Sequence, residues 1–595
     1  MVLVAAALSL LCARGLNNGL GLTPPMGYNA YDHVGCCADE ATLKAQGAAL
    51  IATGLAKLGF VFVNADCGWM GGRSSNGTLF ENAAKFPSGM ASLADWMHTR
   101  GLKLGLYSDR GTKALPLAEG TGMYGYETAD AATFAAWGVD YLKVDDMSGS
   151  PKTEAGAFAD YARIRDALNA TGRAIFYSTC GHSGPDSGQW GQKSVVWMGP
   201  KCAELANACR VTQDVRFWGD GRFGSDKAVN AMASYGGFAS FAGAWPDPDL
   251  LFGYRGVGPN TSSSGGAVCG GAGKLEYCTG SFCDPIVAHS ITQFRLWAVL
   301  GAPLLLSMDI TTLDAVQLAT YANPEIIEIS QDADESGRGT HGGRRVSGGD
   351  LVGPAASAVP NNARPLRTPT AAPGVDVGAV AWPPLWLRAS AAPLADGPTP
   401  GATRRGATTL KCDVSTFPYA RVGVEAVGLQ PAPNASSAAE CLALCCALGT
   451  AACRTWQWAP AYDHGHGLER CWVGIERYVR LNNTDWIAGG ATTALPPTPA
   501  PPSLHNTQNA WARNLHDGST AFLFVNNEAN ATAAAMVCDA GCALAAGLVD
   551  GASYAVRDVG ARADLAAIMV SDGFDAPHAV GGGGGSLLLR LSPRA

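Results

Sequence analysis

Charge is scarce in this chain. Of 595 residues only 15% are Asp, Glu, Lys or Arg, the formal net charge is −8, and no basic run stands out. Nucleic-acid binding needs a concentrated positive footprint, so that class of partner is excluded. Long apolar runs are also missing: none reaches the ~20 residues that cross a bilayer as a helix. The run from Met1 to Cys12 lacks a positively charged start, but with Ala13, Arg14 and Gly15 behind it it fits the apolar part of a signal peptide over residues 1–16. The alternative is a buried N-terminal strand. No Gly-x-Gly-x-x-Gly follows the first candidate strand, which argues against a dinucleotide site. The one cysteine-dense stretch has no paired Cys-x-x-Cys or His-x-x-x-His set, which argues against zinc.

What is abundant is glycine (75), proline (34) and cysteine (18). The length exceeds what one core usually holds, so a large domain with smaller companions is expected. Cysteine and the six Asn-x-Ser/Thr sites at Asn76, Asn169, Asn260, Asn434, Asn482 and Asn530 favour the oxidising secretory route, with an extracellular or lysosomal/vacuolar destination. Loss of Cys12 with the leader leaves seventeen of the eighteen cysteines, so at least one thiol is unpaired.

Between about residues 19 and 330, short apolar runs alternate with helical patterns. The runs are Met26–Asp32, Phe60–Asp66, Leu102–Asp109, Val139–Asp146, Ala174–Cys180, Ala208–Asp214, Ser240–Asp249 and Pro303–Asp309. Helical stretches such as Ala41–Leu58, Ser92–Arg100, Ala129–Trp137, Glu154–Leu168 and Asp284–Val299 lie between them. Parallel neighbours need such crossovers, and eight units point to a closed (β/α)8 barrel whose active site sits where the strands end. Seven of the eight runs end in a carboxylate. One is a solvated loop residue; seven on one rim repel unless a ligand or partners use them.

The rest of the chain reads differently. Residues 333–404 hold the start of a β-domain and a Pro/Ala/Gly-rich linker. Residues 405–475 carry Cys412, Cys441, Cys445, Cys446, Cys453 and Cys471, a disulfide-stapled insertion. Residues 476–508 end in a Pro-rich linker. Residues 509–595, with strand-like runs Thr520–Val525, Tyr554–Arg557 and Ser586–Leu591, read as an antiparallel β-sandwich. The fold class is therefore α/β, a TIM barrel followed by a β-sandwich that a small disulfide-rich module interrupts.

Several blocks in the barrel segment, residues 17–332, carry a resemblance. They are Gly19-Leu-Gly-Leu-Thr-Pro-Pro-Met-Gly27, Lys85-Phe-Pro-Ser-Gly89, Gly101-Leu-Lys-Leu-Gly-Leu-Tyr-Ser-Asp109, Trp137-Gly-Val-Asp-Tyr-Leu-Lys-Val-Asp145, Trp245-Pro-Asp-Pro-Asp249 and Trp297-Ala-Val-Leu-Gly301. In this order they resemble glycoside hydrolase family 27, the α-galactosidase and α-N-acetylgalactosaminidase family. The resemblance implies a retaining glycosidase acting through two carboxylates and water, with no metal or organic cofactor. The family's nucleophile lies two residues after the strand lysine, which is Asp145 after Lys143. Asp146 beside it is the rival. The family's acid/base lies four residues after an arginine, which is Asp214 after Arg210, although Cys209 replaces a Trp. Positive charge from Lys143 and Arg210 is expected beside Asp145, keeping it ionised. Tyr31, Tyr107 and Asp249 match sugar-contacting positions.

Departures from the family bear on the substrate. Asn64-Ala65-Asp66-Cys67 carries one carboxylate where the family has two; matching by Cys67, which lets it pair with Cys36 or Cys37, makes Asp66 the second, and matching from Asn64 makes it the first. Leu115 and Met147 stand where the family has a disulfide, so an apolar contact is expected there. Cys180-Gly181-His182 lacks the Glu that reads a 2-hydroxyl, a pattern reminiscent of enzymes that admit a 2-acetamido group; His182 or Asp186 could supply another contact. Residues 412–471 resemble PAN/apple modules, which bind glycan or protein, or form a stapled insertion without a ligand. Expected partners are α-galactoside oligosaccharides or glycoconjugates, a second copy as homodimer, and a glycan or protein ligand of residues 405–475; nucleic acid and membrane are not expected. Two alternatives remain beside α-galactoside hydrolysis: an α-N-acetylgalactosaminidase, and a silent carbohydrate-binding protein.

Overall fold

The computed structural model describes residues 18–116, 118–150, 153–181, 200–211, 214–215, 228–229, 232, 242–253, 287–334, 342–348, 508–527, 533–571, 573–581 and 584–594, with strand segments and two cysteines between 419 and 490. Eight parallel strands lie in the first part: β1 (Met26–Asn29), β2 (Phe62–Asn64), β3 (Lys103–Asp109), β4 (Tyr141–Asp145), β5 (Phe176–Thr179), β6 (Ala208–Arg210), β7 (Trp245–Asp247) and β8 (Leu304–Leu306). They pair in the order β7-β6-β5-β4-β3-β2-β1-β8. The ring closes past the end of β7. Leu251 bridges Leu306, with its N–H 2.9 Å from Leu305 O and its own carbonyl 2.8 Å from Ser307 N. Between the two pairings Asp249 takes φ = 83°, a left-handed conformation that turns the chain from one neighbour to the other.

The helices on the outside follow the expected positions with different ends. Among those described are α1 (Tyr31–Val34), α2 (Glu40–Ala52), α3 (Met90–His98), α4 (Glu127–Trp137), α5 (Glu154–Ala170), α6 (Pro200–Leu205) and α7 (Val287–Leu300). The single helix expected over Ala41–Leu58 stops at Ala52. Gly54 adopts φ = 82°, and a separate 3-10 turn, Leu55–Leu58, follows. Asp39 caps the start of α2 by accepting from Thr42 N at 2.7 Å.

Side chains alternate across each strand. On β4, Leu142 and Val144 join the outer core of helices and strands. Tyr141 belongs to a second cluster with Phe62, Phe176, Ala208, Trp245 and Leu305, one residue from each of six strands, and this layer fills the barrel's floor. The Tyr141 and Phe176 rings stack at 4.9 Å. Gly105 leaves room for this packing, since a Cβ there would lie 1.9 Å from Asn64 Oδ1. Lys143 and Asp145, two and four residues on, share the inward face above the floor.

Short helices α8 (Ala315–Tyr321) and α9 (Pro324–Ser330) lead to an antiparallel β-domain. Its six strands are β9 (Arg344–Gly348), β10 (Gln508–Asn514), β11 (Thr520–Asn526), β13 (Ser553–Asp558), β14 (Ala563–Met569) and β16 (Gly585–Pro593), in the order β9-β10-β11-β16-β13-β14. A two-stranded ribbon, β12 (Val537–Asp539) with β15 (Gly573–Asp575), and helix α10 (Ala540–Ala546) form the opposing layer. Both faces of strands β10 and β11 are buried. Ala510, Ala512, Phe522 and Phe524 face the ribbon and α10, while Trp511, Ala521, Leu523 and Val525 join the barrel's outer core.

Arg513 locks this junction. It is wholly buried and donates to Ala298 O (3.1 Å), Ile329 O (2.6 Å) and Ser330 O (3.2 Å), the last carbonyls of α7 and α9. They lie in the last turns of the two helices, at the negative end of each dipole, and Ala298 O also accepts from Gly301 N at 3.2 Å. Burial pushes the guanidinium down to about 10, opposed by Asp332, so it stays charged at neutral pH. Arg513→Met removes three buried charge-assisted donations, to Ala298 O, Ile329 O and Ser330 O, and we expect a loss of about 3 kcal/mol in urea unfolding. An unchanged unfolding midpoint would contradict this role.

By contact density the chain divides into residues 1–359 with 502–595, and residues 360–501. In the second unit, segments Tyr419–Val427, Gln430–Pro431, Thr455–Trp458, Cys471–Gly474 and Tyr478–Gly490 form a five-stranded antiparallel sheet, and Cys441 is disulfide-bonded to Cys471. Cys412, Cys446 and Cys453 and both linkers lie outside the described residues. No described helix is long and apolar enough to cross a membrane.

Candidate active site

The described side chains at the barrel's mouth fall into separately held groups around Asp145, Lys143 and Arg210. On β4, Asp145 is half-buried and both of its oxygens are held. Tyr107 Oη, from the neighbouring β3, donates to Oδ2 at 2.8 Å, and the Asp146 N–H donates to Oδ1 at 2.9 Å. Burial, then Asp145, Asp109 and Asp66, raise the Tyr107 phenol well above its ordinary value, so it remains a donor.

Lys143 occupies the next position down. Its Nζ donates to Asp66 Oδ2 at 2.9 Å, and Asn29 Nδ2 reaches the same oxygen at 3.1 Å. Asp66 Oδ1 accepts from Cys67 N at 3.0 Å. The ammonium also lies 5.6 Å from the Tyr31 ring and 5.7 Å from the Tyr107 ring. Burial disfavours this charge, but Asp66, Cys180 and Asp249 outweigh it and hold Lys143 protonated. Among the described contacts neither Lys143 nor Arg210 is paired with Asp145. Lys143 pairs with Asp66, Arg210 pairs elsewhere, and the donors to Asp145 described above are neutral. Asp66 lies two residues past the end of β2, buried within reach of the lysine's long stem.

Arg210 is fully buried on β6 and divides its charge. Nη1 lies 2.8 Å from Asp249 Oδ1, and Nη2 donates to Asp214 Oδ1 at 3.2 Å. Asp249 Oδ2 accepts from Val215 N at 2.7 Å, which ties the segment after Asp214 to the turn after β7. Trp297 Nε1 donates to Asp249 O at 2.7 Å and so stabilises the left-handed residue. Burial raises the Asp249 carboxyl to about 6 despite Arg210 and Lys143, with Asp214 and Asp247 adding to the rise. Asp214 itself is 37% exposed, open to a ligand in a way that Asp249 is not.

The rival Asp146 is spent elsewhere. It points out of the barrel and accepts from Arg110 Nε at 2.6 Å. Cys67 is disulfide-bonded to Cys36, which fits the matching in which Asp66 is the second carboxylate. Cys209 pairs with Cys202, and Cys180 is a buried thiol at the end of β5. The apolar contact expected between Leu115 and Met147 is also corrected. Leu115 is buried beside Cys36, Cys67 and Tyr107, whereas Met147 is 47% exposed. The two loops are joined by polar groups instead: Ser148 Oγ accepts from Lys113 N at 2.9 Å and donates to Asp109 Oδ1 at 2.8 Å. Gly181, at φ = 71°, is described; His182 and Asp186 lie outside the described residues.

Asp109 is the residue that sequence reasoning missed, although it was one of the seven strand-end carboxylates. It sits in register with Asp145 and accepts from Gly111 N (2.7 Å), Met147 N (2.6 Å) and Ser148. Burial and then Asp145 push it up to about 7, against those hydrogen bonds. Because the folded value lies above the unfolded one, folding takes up this proton. The stability it brings is present below pH ~4 and is lost as pH rises towards ~7. Asp109→Asn is expected to flatten the fall in melting temperature across that window by the equivalent of about 2 kcal/mol. An unchanged slope would remove Asp109 from the pH response. Asn29 and Asp247 were missed as well, because each acts only through a neighbour, Asp66 or Asp249.

Among the described residues, no group of three or more His, Cys, Asp or Glu could hold a metal ion. The arrangement offers two separately held carboxylates, one ringed by neutral donors and one exposed beside a guanidinium.

The chain is similar to known proteins. A sequence model of the family described as Alpha galactosidase A matches residues 23–267. Alpha-galactosidase 2 of Arabidopsis thaliana is 34% identical over 330 residues, covering 53% of this chain and 69% of that one. A probable alpha-galactosidase of Dictyostelium discoideum is 32% identical over 327 residues, covering 55% and 73%. The crystal structure of alpha-galactosidase I from Mortierella vinacea aligns over 97% of this chain and 98% of its own, with a TM-score of 0.56 at 19% identity, a likeness of fold.

Proposed function

The chain belongs to the α-galactosidase family, a family of glycoside hydrolases, and on that premise we propose that it releases terminal α-linked galactose with retention, through Asp145 as nucleophile and Asp214 as acid/base. In the first step an Asp145 oxygen attacks the anomeric carbon while Asp214 protonates the departing glycosidic oxygen. In the second, ionised Asp214 takes a proton from water, which displaces Asp145 from the sugar. The observation that carries this reading is the contrast between adjacent carboxylates. Asp145 faces the mouth, oriented by Tyr107 and a backbone N–H, while Asp146 is consumed by a buried arginine. Tyr31, Asp66, Tyr107, Lys143, Arg210 and Asp249 form the shell in which the sugar hydroxyls and ring would be read.

One observation favours a second reading. Gly181 presents no side chain just past the end of β5, as expected of a site that admits a 2-acetamido group. Aryl α-galactoside and aryl α-N-acetylgalactosaminide, compared by kcat/KM, decide between them. We expect the galactoside to be preferred; a strong preference for the other sugar would overturn the substrate assignment. The disulfides Cys36–Cys67, Cys202–Cys209, Cys441–Cys471 and Cys538–Cys542 support a destination on the secretory route, and Cys441–Cys471 supports reading residues 405–475 as a stapled insertion.

A further inference from the structure

Arg110 follows the end of β3 and is buried although no feature of the sugar site uses it. Its backbone N–H donates to Asp145 O at 3.0 Å, one step beyond the β3–β4 register. Its side chain turns outward, where Nε meets Asp146 Oδ1 at 2.6 Å and Nη1 meets Asp160 on α5. Asp160 is also held by Arg163, which reaches Glu127 on α4 at 3.2 Å. Arg110 and Arg163 are thus shared among three carboxylates, Asp146, Asp160 and Glu127. The chain closes over the guanidinium at Gly149, where a Cβ would lie 2.2 Å from Arg110 Cζ and 2.6 Å from Asp146 Oδ1.

We propose that Arg110 is a positioning residue for the nucleophile, acting through Asp146. The inference rests on the assignment of Asp145 given above. Asp146 supplies the N–H that orients Asp145 Oδ1, and a backbone N–H points where its own residue is fixed. Arg110 fixes that residue twice, by gripping the Asp146 carboxylate and by holding the Asp145 carbonyl. A planar fork that meets two carboxylates at once sets a direction as well as a charge.

The test is the rate at which a fluorinated α-galactoside labels the full-length protein, with mass spectrometry locating the label. It is run well below each variant's melting temperature. In Arg110→Met we expect labelling of Asp145 to slow about 100-fold, with kcat falling alike and KM moving less than about threefold, as for a reactive group displaced by ~1 Å. Asp146→Asn keeps the shape and loses the charge, and we expect roughly tenfold slowing on the same ground. A brace that merely stabilised the fold would lower the melting temperature and leave the labelling rate unchanged. A wild-type rate in Asp146→Asn overturns the inference, even if Arg110→Met does not fold. Wild-type protein that is labelled elsewhere than Asp145 overturns the parent assignment instead.

Discussion

Asp145→Gly is expected to lower kcat on an aryl α-galactoside about 10⁵-fold, the scale lost when a covalent nucleophile is removed. Added azide should restore part of the rate. The space vacated by the carboxylate is lined by Tyr107 Oη and the Asp146 N–H, the two donors that held it, and they suit a small anion. Azide then enters from the face Asp145 used, opposite the leaving group, and the product is β-galactosyl azide. Measuring the anomeric configuration tests position as well as necessity. An α-product, or no rescue with the rate otherwise intact, would place the nucleophile on another residue.

Asp214→Ala should behave differently. General acid help matters most where the leaving group is poor, so the loss should reach about 10³-fold for an alkyl galactoside and be far smaller for a dinitrophenyl galactoside. With the activated substrate the galactosyl-Asp145 intermediate accumulates, because the base that activates water is gone. Azide needs no base. It attacks the intermediate from the opposite face and gives α-galactosyl azide. The two variants therefore yield opposite anomers from one substrate, and a swap of the two results would exchange the roles of Asp145 and Asp214. Removal of Asp214 also leaves Arg210 with Asp249 as its remaining carboxylate contact of the two described, so the variant should keep its fold.

How much of this was legible depends on sequence distance. The barrel could be read because each unit is local: an apolar run, a turn and a helix repeat within about 40 residues. Lys143 and Asp145 could be read as one inward pair because strand alternation relates residues two apart. The choice between Asp145 and Asp146 rested on resemblance alone. Its physical basis is Arg110, 36 positions away, and no local pattern reveals such a partner. Asp109 was visible as a strand-end carboxylate, but its burial and its grip on Met147 and Ser148 arise only when two loops fold together. The missing cysteines at Leu115 and Met147 suggested an apolar substitute. A serine one position further on does that task with hydrogen bonds, and hydrogen-bond partners across 35 residues leave no periodic trace. The turn at Asp249 was hidden too, since a left-handed aspartate looks like any other aspartate in sequence.

The sheet beside the barrel begins with a strand from one part of the chain and continues with strands from another. Gly348, at the end of β9, pairs with Asn509 near the start of β10. For these two neighbours, everything between them is a connecting turn. Polymer physics makes such a connection insensitive to its length, since each doubling adds only about 0.6 kcal/mol of closure entropy. The sheet therefore tolerates at this point a passenger of almost any size whose own ends lie close together. A tight hairpin would complete the same ladder.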